Sequence, residues 1–209
     1  ILSLFTSRNL MAGRKLINNV MMMKQNKNNF CKWVLSLCLF GVFATACSQE
    51  DASLLHRYAS QGDIAELKQL ISSGVNINEK NKQKLTPLHL AAKEGHKDIV
   101  SILVSNGASV NSKNKYGDTP LHFASANGHV SIVEILVYRG AKISAENVLG
   151  NTPLHRAVNN DHESLVAIFI KEGANINSKT ELTDSPLTVA IRRGNKEVIQ
   201  LLKSAGALE

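Results

Sequence analysis

The sequence predicts an all-α protein built from five consecutive units, each of which contains two short helices. The first observation behind this is a tetrapeptide, Thr-Pro-Leu-His, which begins at Thr86, Thr119 and Thr152, so that successive copies start 33 residues apart. Degraded copies begin at Ser53 and Ser185 in the same register. The second and third are glycines and apolar segments that recur with the same period. Self-similarity at a fixed period of this length is typical of repeat proteins.

The tetrapeptide marks the start of the first helix in each unit. A Thr before Pro favours extended backbone, which suits an N-cap, and Pro suits the first helical position because its missing N–H is not needed there. The His, as at His89, then falls at the third helical position. From there its ring can return a hydrogen bond to the Thr, as in a capping box.

Glycines mark where the helices end, because glycine accepts the left-handed conformation found just after a helix. One column is complete: Gly74, Gly107, Gly140, Gly173 and Gly206. The other contains Gly62, Gly95, Gly128 and Gly194, with Asp161 in place of a fifth glycine. Between the columns, the second helices (residues 99–104, 132–137 and 165–170) are too apolar to be stable alone, and we expect neighbouring units to bury them.

This arrangement resembles the ankyrin repeat, with its period of 33, Thr-Pro-Leu-His-x-Ala, Gly-His, Gly-Ala and Val/Ile-Asn. The resemblance covers residues 53–209, with units starting near residues 53, 86, 119, 152 and 185. It implies paired antiparallel helices stacked into a solenoid, with β-hairpin connectors on one side. Lys84 and Thr183 replace the usual hairpin glycine, so we expect less regular connectors there. Arg156 and Thr188 also depart from the family pattern, and we expect the local hydrogen bonding to differ at both.

The outermost units carry polar residues where the inner units are apolar, as the ends of a solenoid require. In the first unit, Glu66 stands where inner units have Ile99, Ile132 and Leu165, and Gln69 stands where they have Ile102, Ile135 and Ile168. In the last unit, Lys203 replaces an apolar column. We therefore predict that these positions are caps on a five-unit array.

The segment before the repeats has the organisation of a bacterial export signal. The first residue is Ile, so we expect translation to start at Met21, Met22 or Met23, with residues 1–20 upstream of the true start. Residues 21–46 then contain three lysines, an apolar run and an Ala-Thr-Ala triplet, which match a signal peptide. A retained transmembrane helix is the alternative, but the run of about 11–15 residues is shorter than the roughly 18 that span a bilayer. Residues 47–52 are predicted to form a polar linker.

Cys47 follows the Ala-Thr-Ala triplet directly, which resembles the lipobox of bacterial lipoproteins, although that family usually has Leu where Ala44 stands. Ordinary cleavage after Ala46 remains the alternative. Cys31 and Cys38 lie in the leader, so the exported chain would keep Cys47 as a single thiol. An unpaired thiol is unusual in an oxidising compartment, and acylation of Cys47 would account for it.

Most of the positive charge lies in this leader. The chain has 24 basic and 17 acidic residues, and six of the basic residues but none of the acidic ones precede Cys47. The remaining chain is close to neutral, which gives no electrostatic reason to expect a nucleic-acid partner.

Catalysis is not expected. All seven histidines lie in the repeats, in two columns: His56, His89, His122 and His155, and His96, His129 and His162. Successive units of packed helices lie about 8–10 Å apart, which is too wide for the shared zinc ligation that holds each nitrogen at about 2.0–2.1 Å. We therefore predict structural histidines, no metal and no cofactor. No phosphate-binding glycine loop and no Cys or Ser nucleophile with a His partner is found in the repeats. An enzyme remains a remote alternative.

The function that the sequence favours is binding of a partner protein, because stacked repeats expose a long concave surface. One hypothesis is a monomeric adaptor of the bacterial periplasm, tethered to the outer membrane if Cys47 is acylated. The other is a secreted effector that acts on host or competitor proteins. The sequence does not separate them.

Candidate binding residues occupy the third position of each connector: Gln83, Tyr116, Leu149 and Leu182. Tyr116, Leu149 and Leu182, together with Val148, are apolar where a solvated hairpin is usually polar, and exposed apolar tips often mark contact surfaces. The alternative is that Leu149 and Leu182 fold under neighbouring hairpins. The first helices are expected to supply a polar rim: Lys93, Glu94, Ala126, Asn127, Asn159, Asn160, Arg192 and Arg193. Of these, Arg192 and Arg193 could bind a partner carboxylate.

Overall fold

The computed structural model describes residues 44–208 of the chain. This part contains ten helices and no β-strand. They are α1 (Ala44–Gln61), α2 (Ile64–Ser72), α3 (Pro87–Glu94), α4 (Lys97–Ser105), α5 (Pro120–Ala126), α6 (Val130–Tyr138), α7 (Pro153–Asn159), α8 (Glu163–Lys171), α9 (Pro186–Arg193) and α10 (Lys196–Ser204). The predicted two helices per unit are therefore confirmed for five units.

The N-terminal predictions fall largely outside the described residues. This applies to residues 1–20, to nearly all of the predicted signal peptide (residues 21–46) and to the side chain of Cys47. The helix α1 begins at Ala44, so residues 47–52, predicted to be a linker, are helical. Within residues 44–208, no helix combines the length and the apolar content that crossing a membrane requires.

In the second to fifth units the two helices pair with each other, and successive units stack. The first helices α3, α5, α7 and α9 form one row, and the second helices α2, α4, α6, α8 and α10 form another. A turn of two or three residues joins the two helices of a unit, so they run antiparallel. The core lies between the rows, where the Leu of each tetrapeptide is fully buried with the apolar face of the second helices.

Local sequence explains the helix boundaries. Thr86, Thr119 and Thr152 have extended backbone and a Pro at the next position. The backbone N–H of each Thr donates to Nδ1 of the His three residues later, at 3.0–3.2 Å. At the other end of α3, Gly95 adopts the left-handed conformation with φ of 84°. The predicted capping arrangement is confirmed.

The predicted caps are exposed. Glu66, Gln69 and Lys203 all face solvent, whereas Ile99 and Ile132, which occupy the column of Glu66, are 1% exposed. Residues in the column of Gln69, such as Ile135, pack against the core but are only partly buried. The two end units thus carry polar side chains at positions where the inner units carry apolar side chains that are buried or partly buried.

The connectors are hairpin turns rather than pairs of strands. They comprise residues 79–85, 112–118, 145–151 and 178–184, called here the first to fourth connectors. The tip of each connector, counted from residue 81, 114, 147 or 180, closes through a backbone hydrogen bond of 3.0 Å to the residue four positions later, for example from Asn114 N–H to the Asp118 carbonyl. In this count the candidate binding residues occupy the third position. The expectation that Lys84 and Thr183 make their connectors less regular is wrong. Both residues adopt the positive φ of the glycines they replace, 58° and 64°, and keep the same hydrogen bonds.

Candidate protein-binding face

The tips of the connectors are ordered by side chains at their bases. The Oδ1 of Asn114 accepts hydrogen bonds from the backbone N–H groups of Tyr116 and Asp118, at 2.8 and 2.9 Å. Asn81 and Asn147 make the same pair of bonds in the first and third connectors. An Asn that hydrogen-bonds the backbone two residues on fixes a turn without strand pairing. In the fourth connector, Thr180 accepts only from the Asp184 N–H, at 3.2 Å. The first three tips therefore hold their shape before any partner binds.

Neighbouring tips are also bonded directly to one another. Backbone hydrogen bonds run from Lys115 N–H to the Gln83 carbonyl at 3.1 Å and from Val148 N–H to the Tyr116 carbonyl at 2.9 Å. A third runs from Glu181 N–H to the Leu149 carbonyl at 3.0 Å. Residues that are 33 apart in the sequence thus line up in space. We call Gln83, Tyr116, Leu149 and Leu182 the tip ladder.

The apolar members of the tip ladder are exposed. Tyr116 is 52%, Leu149 54% and Leu182 82% exposed, and Val148, beside Leu149, is 55% exposed. The alternative, in which Leu149 and Leu182 fold beneath their neighbours, is not what the structure shows. The structure therefore brings the predicted apolar residues together on one line of tips, and their role in binding remains a prediction.

The two predicted rim arginines already have intramolecular partners. Arg192 Nη2 lies 2.8 Å from an Asp184 carboxylate oxygen, and Arg193 Nη2 lies 2.7 Å from one of Asp161. Both arginine side chains remain about half exposed. The ion pair with Arg193 lowers the pKa of Asp161. Both arginines are therefore held in place, with part of their donor capacity still facing solvent.

Arg156 and Thr188, where different hydrogen bonding was expected, behave differently from each other. Arg156 reaches the second connector, where its Nη2 lies 3.2 Å from Asp118 Oδ1. The same oxygen accepts a hydrogen bond from Asn147 at 2.8 Å. Thr188 replaces the tetrapeptide His and bonds only within its own cap, to Ser185. Among the described residues, the Thr188 side chain therefore makes no hydrogen bond to another unit, unlike the tetrapeptide histidines.

The first histidine column bonds each unit to the next. His89 Nε2 donates to the Asp118 carbonyl at 3.2 Å and His122 Nε2 to the Asn151 carbonyl at 2.9 Å, while each Nδ1 accepts from its own Thr. Burial lowers the pKa of both histidines from 6.5 to about 4, although the hydrogen bond to the carbonyl opposes this. Burial lowers the pKa of His155 as well. Both ring nitrogens are thus occupied by the chain itself.

The second histidine column bonds each unit to the previous one. His96, His129 and His162 donate from Nε2 to the carbonyls of Ser60, Lys93 and Ala126, at 2.9–3.1 Å. Among residues 44–208, no group of three or more His, Cys, Asp or Glu side chains is placed to hold a metal ion. The geometry supports the structural role that the sequence predicts for these histidines.

The binding residues predicted from the sequence do not include the lysines that surround the tip ladder. Lys80 and Lys82 lie on the first connector, and Lys113 and Lys115 lie 33 residues later on the second. Lys113 Nζ donates to the Glu146 carbonyl at 2.8 Å, and Lys115 Nζ lies 4.7 Å from the centre of the Tyr116 ring. The repetition of these lysines in the 33-residue register is the signal that could have found them.

Comparison with known proteins identifies the repeats. A family model described as ankyrin repeats (3 copies) matches residues 55–147 and again residues 144–208, and together these ranges cover well over half of the chain. A search of curated proteins finds no match.

Proposed function

We propose that this chain, which belongs to the ankyrin repeat family, is exported, tethered in the bacterial cell envelope, and binds a partner protein on its tip ladder. Ankyrin repeats indicate a protein–protein interaction module, and the family is generally non-catalytic. The observation that supports the tip ladder as the contact surface is the exposure of Tyr116, Leu149 and Leu182 on one continuous line. Their backbone is already fixed, so binding would not have to order these turns, a cost that weakens many interfaces.

Tyr116 is the residue from which we expect the largest contribution. Tyrosine offers a broad apolar ring with a polar end, and it is enriched among residues that dominate interface energies. Lys115 lies over its ring in a cation–π contact. Tyr116→Ala should therefore weaken binding by about 1–2 kcal/mol or more, and Leu149→Ala by a similar amount.

Tyr138 provides a matched control for Tyr116. It is 86% exposed but lies at the last position of α6, a second helix, and not on a connector. A photo-crosslinking amino acid placed at position 116 in living cells should yield a discrete adduct with a protein, whereas the same amino acid at position 138 should not. Once the partner is isolated, Tyr138→Ala should leave its affinity unchanged. A discrete adduct at position 138 alone would place the partner on another surface.

Export and tethering rest on the leader and on Cys47, and a labelled fatty acid tests them. The wild-type protein should incorporate the label and sediment with membranes. Cys47→Ser should abolish the labelling and should either release the protein from membranes or block its processing, whereas Cys38→Ser, a change within the leader, should affect neither. Recovery of the wild-type protein in the culture medium without label would contradict the tether and would favour the secreted effector.

A further inference from the structure

The cationic residues of the connectors are concentrated at one end of the tip ladder. The first connector carries three lysines and one glutamate, and the second carries two lysines and one aspartate. All five lysines are exposed: Lys80, Lys82, Lys84, Lys113 and Lys115. The third connector has one glutamate and no lysine, and the fourth has Lys179 against Glu181 and Asp184. Since the chain beyond Cys47 is nearly neutral, this distribution is local and does not reflect the overall composition.

The carboxylates of the first two connectors do not neutralise these lysines. Asp118 is buried and is bound by Arg156 and Asn147, and Glu79 accepts a hydrogen bond from Asn76. None of the five lysines forms an ion pair with a carboxylate in the part of the chain that the structure describes. Positive charges concentrated in this way raise the local electrostatic potential and attract anionic groups.

Two of the lysines are held along the line of tips. Lys80 Nζ donates to the Lys113 carbonyl at 3.2 Å, and Lys113 Nζ donates to the Glu146 carbonyl at 2.8 Å. Lys82, Lys84 and Lys115 flank Gln83 and Tyr116 directly in the sequence. The positive charge therefore lies on the same face as the tip ladder, on its first half, and the apolar tips Leu149 and Leu182 lie on its second half.

We propose that the partner presents an extended protein segment with Asp or Glu residues at one end and apolar residues at the other. The carboxylates would lie against the lysines of the first two connectors, and the apolar side chains against Val148, Leu149 and Leu182. This inference rests on the proposed function, because it uses the same face. Four tips that are about 8–10 Å apart span about 25–30 Å. An extended chain covers that distance in about eight or nine residues.

The negative charges on the second half of the face argue against a nucleic acid or an anionic membrane as the partner. Glu146 and Glu181 are exposed on the third and fourth connectors, where they would repel a nucleic-acid backbone or an anionic membrane lying along all four tips. A segment whose charge ends halfway along avoids that repulsion and still covers the apolar tips. Anionic vesicles therefore serve as the competing arm of the test.

The experiment uses the full chain and a library of fluorescent ten-residue peptides. One half of each peptide is acidic, neutral or basic, and the other half is apolar or polar, in both orders. Fluorescence anisotropy should give the tightest binding for acidic peptides with an apolar half, and the binding should weaken as salt rises. Vesicles of phosphatidylglycerol are measured in parallel. Binding that does not depend on peptide charge, or binding of the vesicles in place of the peptides, would overturn the inference.

Charge reversal supplies the matched variants. Lys82→Glu with Lys115→Glu should weaken acidic–apolar peptides by about tenfold or more and should favour peptides with a basic half. Lys97→Glu with Lys171→Glu makes the same change in net charge on the second helices and should have no such effect. Thermal melting of each variant checks the fold. Equal losses in both pairs would refute a local charge site.

The crosslink at position 116 separates the two proposals. If it forms equally well in wild type and in Lys82→Glu with Lys115→Glu, the tip ladder binds a protein but the acidic segment is refuted. If no crosslink forms at position 116 in wild type, the proposed binding face itself is refuted.

Discussion

Mild acid should destabilise the repeats through the buried histidines His89 and His122. In the folded chain, each Nδ1 accepts the N–H of its Thr and each Nε2 donates to a carbonyl of the next unit, an arrangement that only the neutral ring satisfies. Protonation would put an N–H where Nδ1 now accepts one, and would place a charge in a buried site. At His122, the negative charge of Asp118 favours the protonated ring and so reduces this cost, whereas the positive charge of Arg156 increases it.

The size of the effect follows from the pKa values. The pKa of both rings falls from 6.5 in the unfolded chain to about 4 in the folded one. Because the unfolded state takes up the proton first, the stabilisation is fully present above pH 6.5 and is lost as the pH falls towards 4. Linkage gives a loss of about 2 kcal/mol per histidine between pH 7 and pH 5. Two such sites together cost about 4 kcal/mol, comparable to the whole stability of a marginal domain.

Urea unfolding at pH 7 and at pH 5 measures this loss, with His122→Gln as the comparison. The glutamine keeps a donor for the Asn151 carbonyl but does not titrate. Whatever its stability at pH 7, the variant should lose about 2 kcal/mol less than wild type over the same pH interval. Carboxylates titrate in both proteins, so the difference isolates His122. Equal losses in the two proteins would refute the assignment of acid sensitivity to the histidine column.

Three further changes test the packing, each by urea unfolding at pH 7. Leu136→Asp places an unpaired charge in a fully buried position and should cost more than about 3 kcal/mol, whereas Gln69→Asp at the exposed cap should be nearly silent. Thr183→Gly should stabilise by about 1 kcal/mol, because a β-branched residue at φ 64° is strained and glycine is not. Gly128→Ala should cost about 1–3 kcal/mol more than Gly74→Ala, because its Cβ would lie 2.8 Å from an imidazole carbon, whereas the Cβ at position 74 meets nothing.

The features that the sequence predicts well are those set by a few adjacent residues. A Thr-Pro pair fixes the backbone at a helix start, and the His at the third helical position lies within reach of the Thr whatever the rest of the chain does. The exposure of Leu182 was also predictable in part, because it occupies the same position on its connector as Tyr116. The ion pairs were not predictable in this way. Arg156 meets Asp118 across 38 residues, and Arg193 meets Asp161 across 32. Only the stacking of units brings these side chains together.

Asp161 shows why the glycine columns could not be understood from helix ends alone. A helix stop requires positive φ, and Asp161 supplies it at 57°. The glycines of the same column also leave room for an imidazole: a Cβ at Gly62, Gly95 or Gly128 would lie 2.7–2.9 Å from Cε1 of the His one unit later.

The unit after Asp161 is the one that has lost this histidine. Asn195 stands in its place, and its Nδ2 lies 3.3 Å from Asp161 Oδ1. The shorter Asn195 side chain leaves space for a Cβ at position 161, and the carboxylate that this Cβ carries binds Arg193 at 2.7 Å. Asp161 in place of glycine and Asn195 in place of histidine are therefore two substitutions that depend on each other for packing. Together they exchange an imidazole–carbonyl bond between units for an ion pair between the same units, and they leave the helix stop in place.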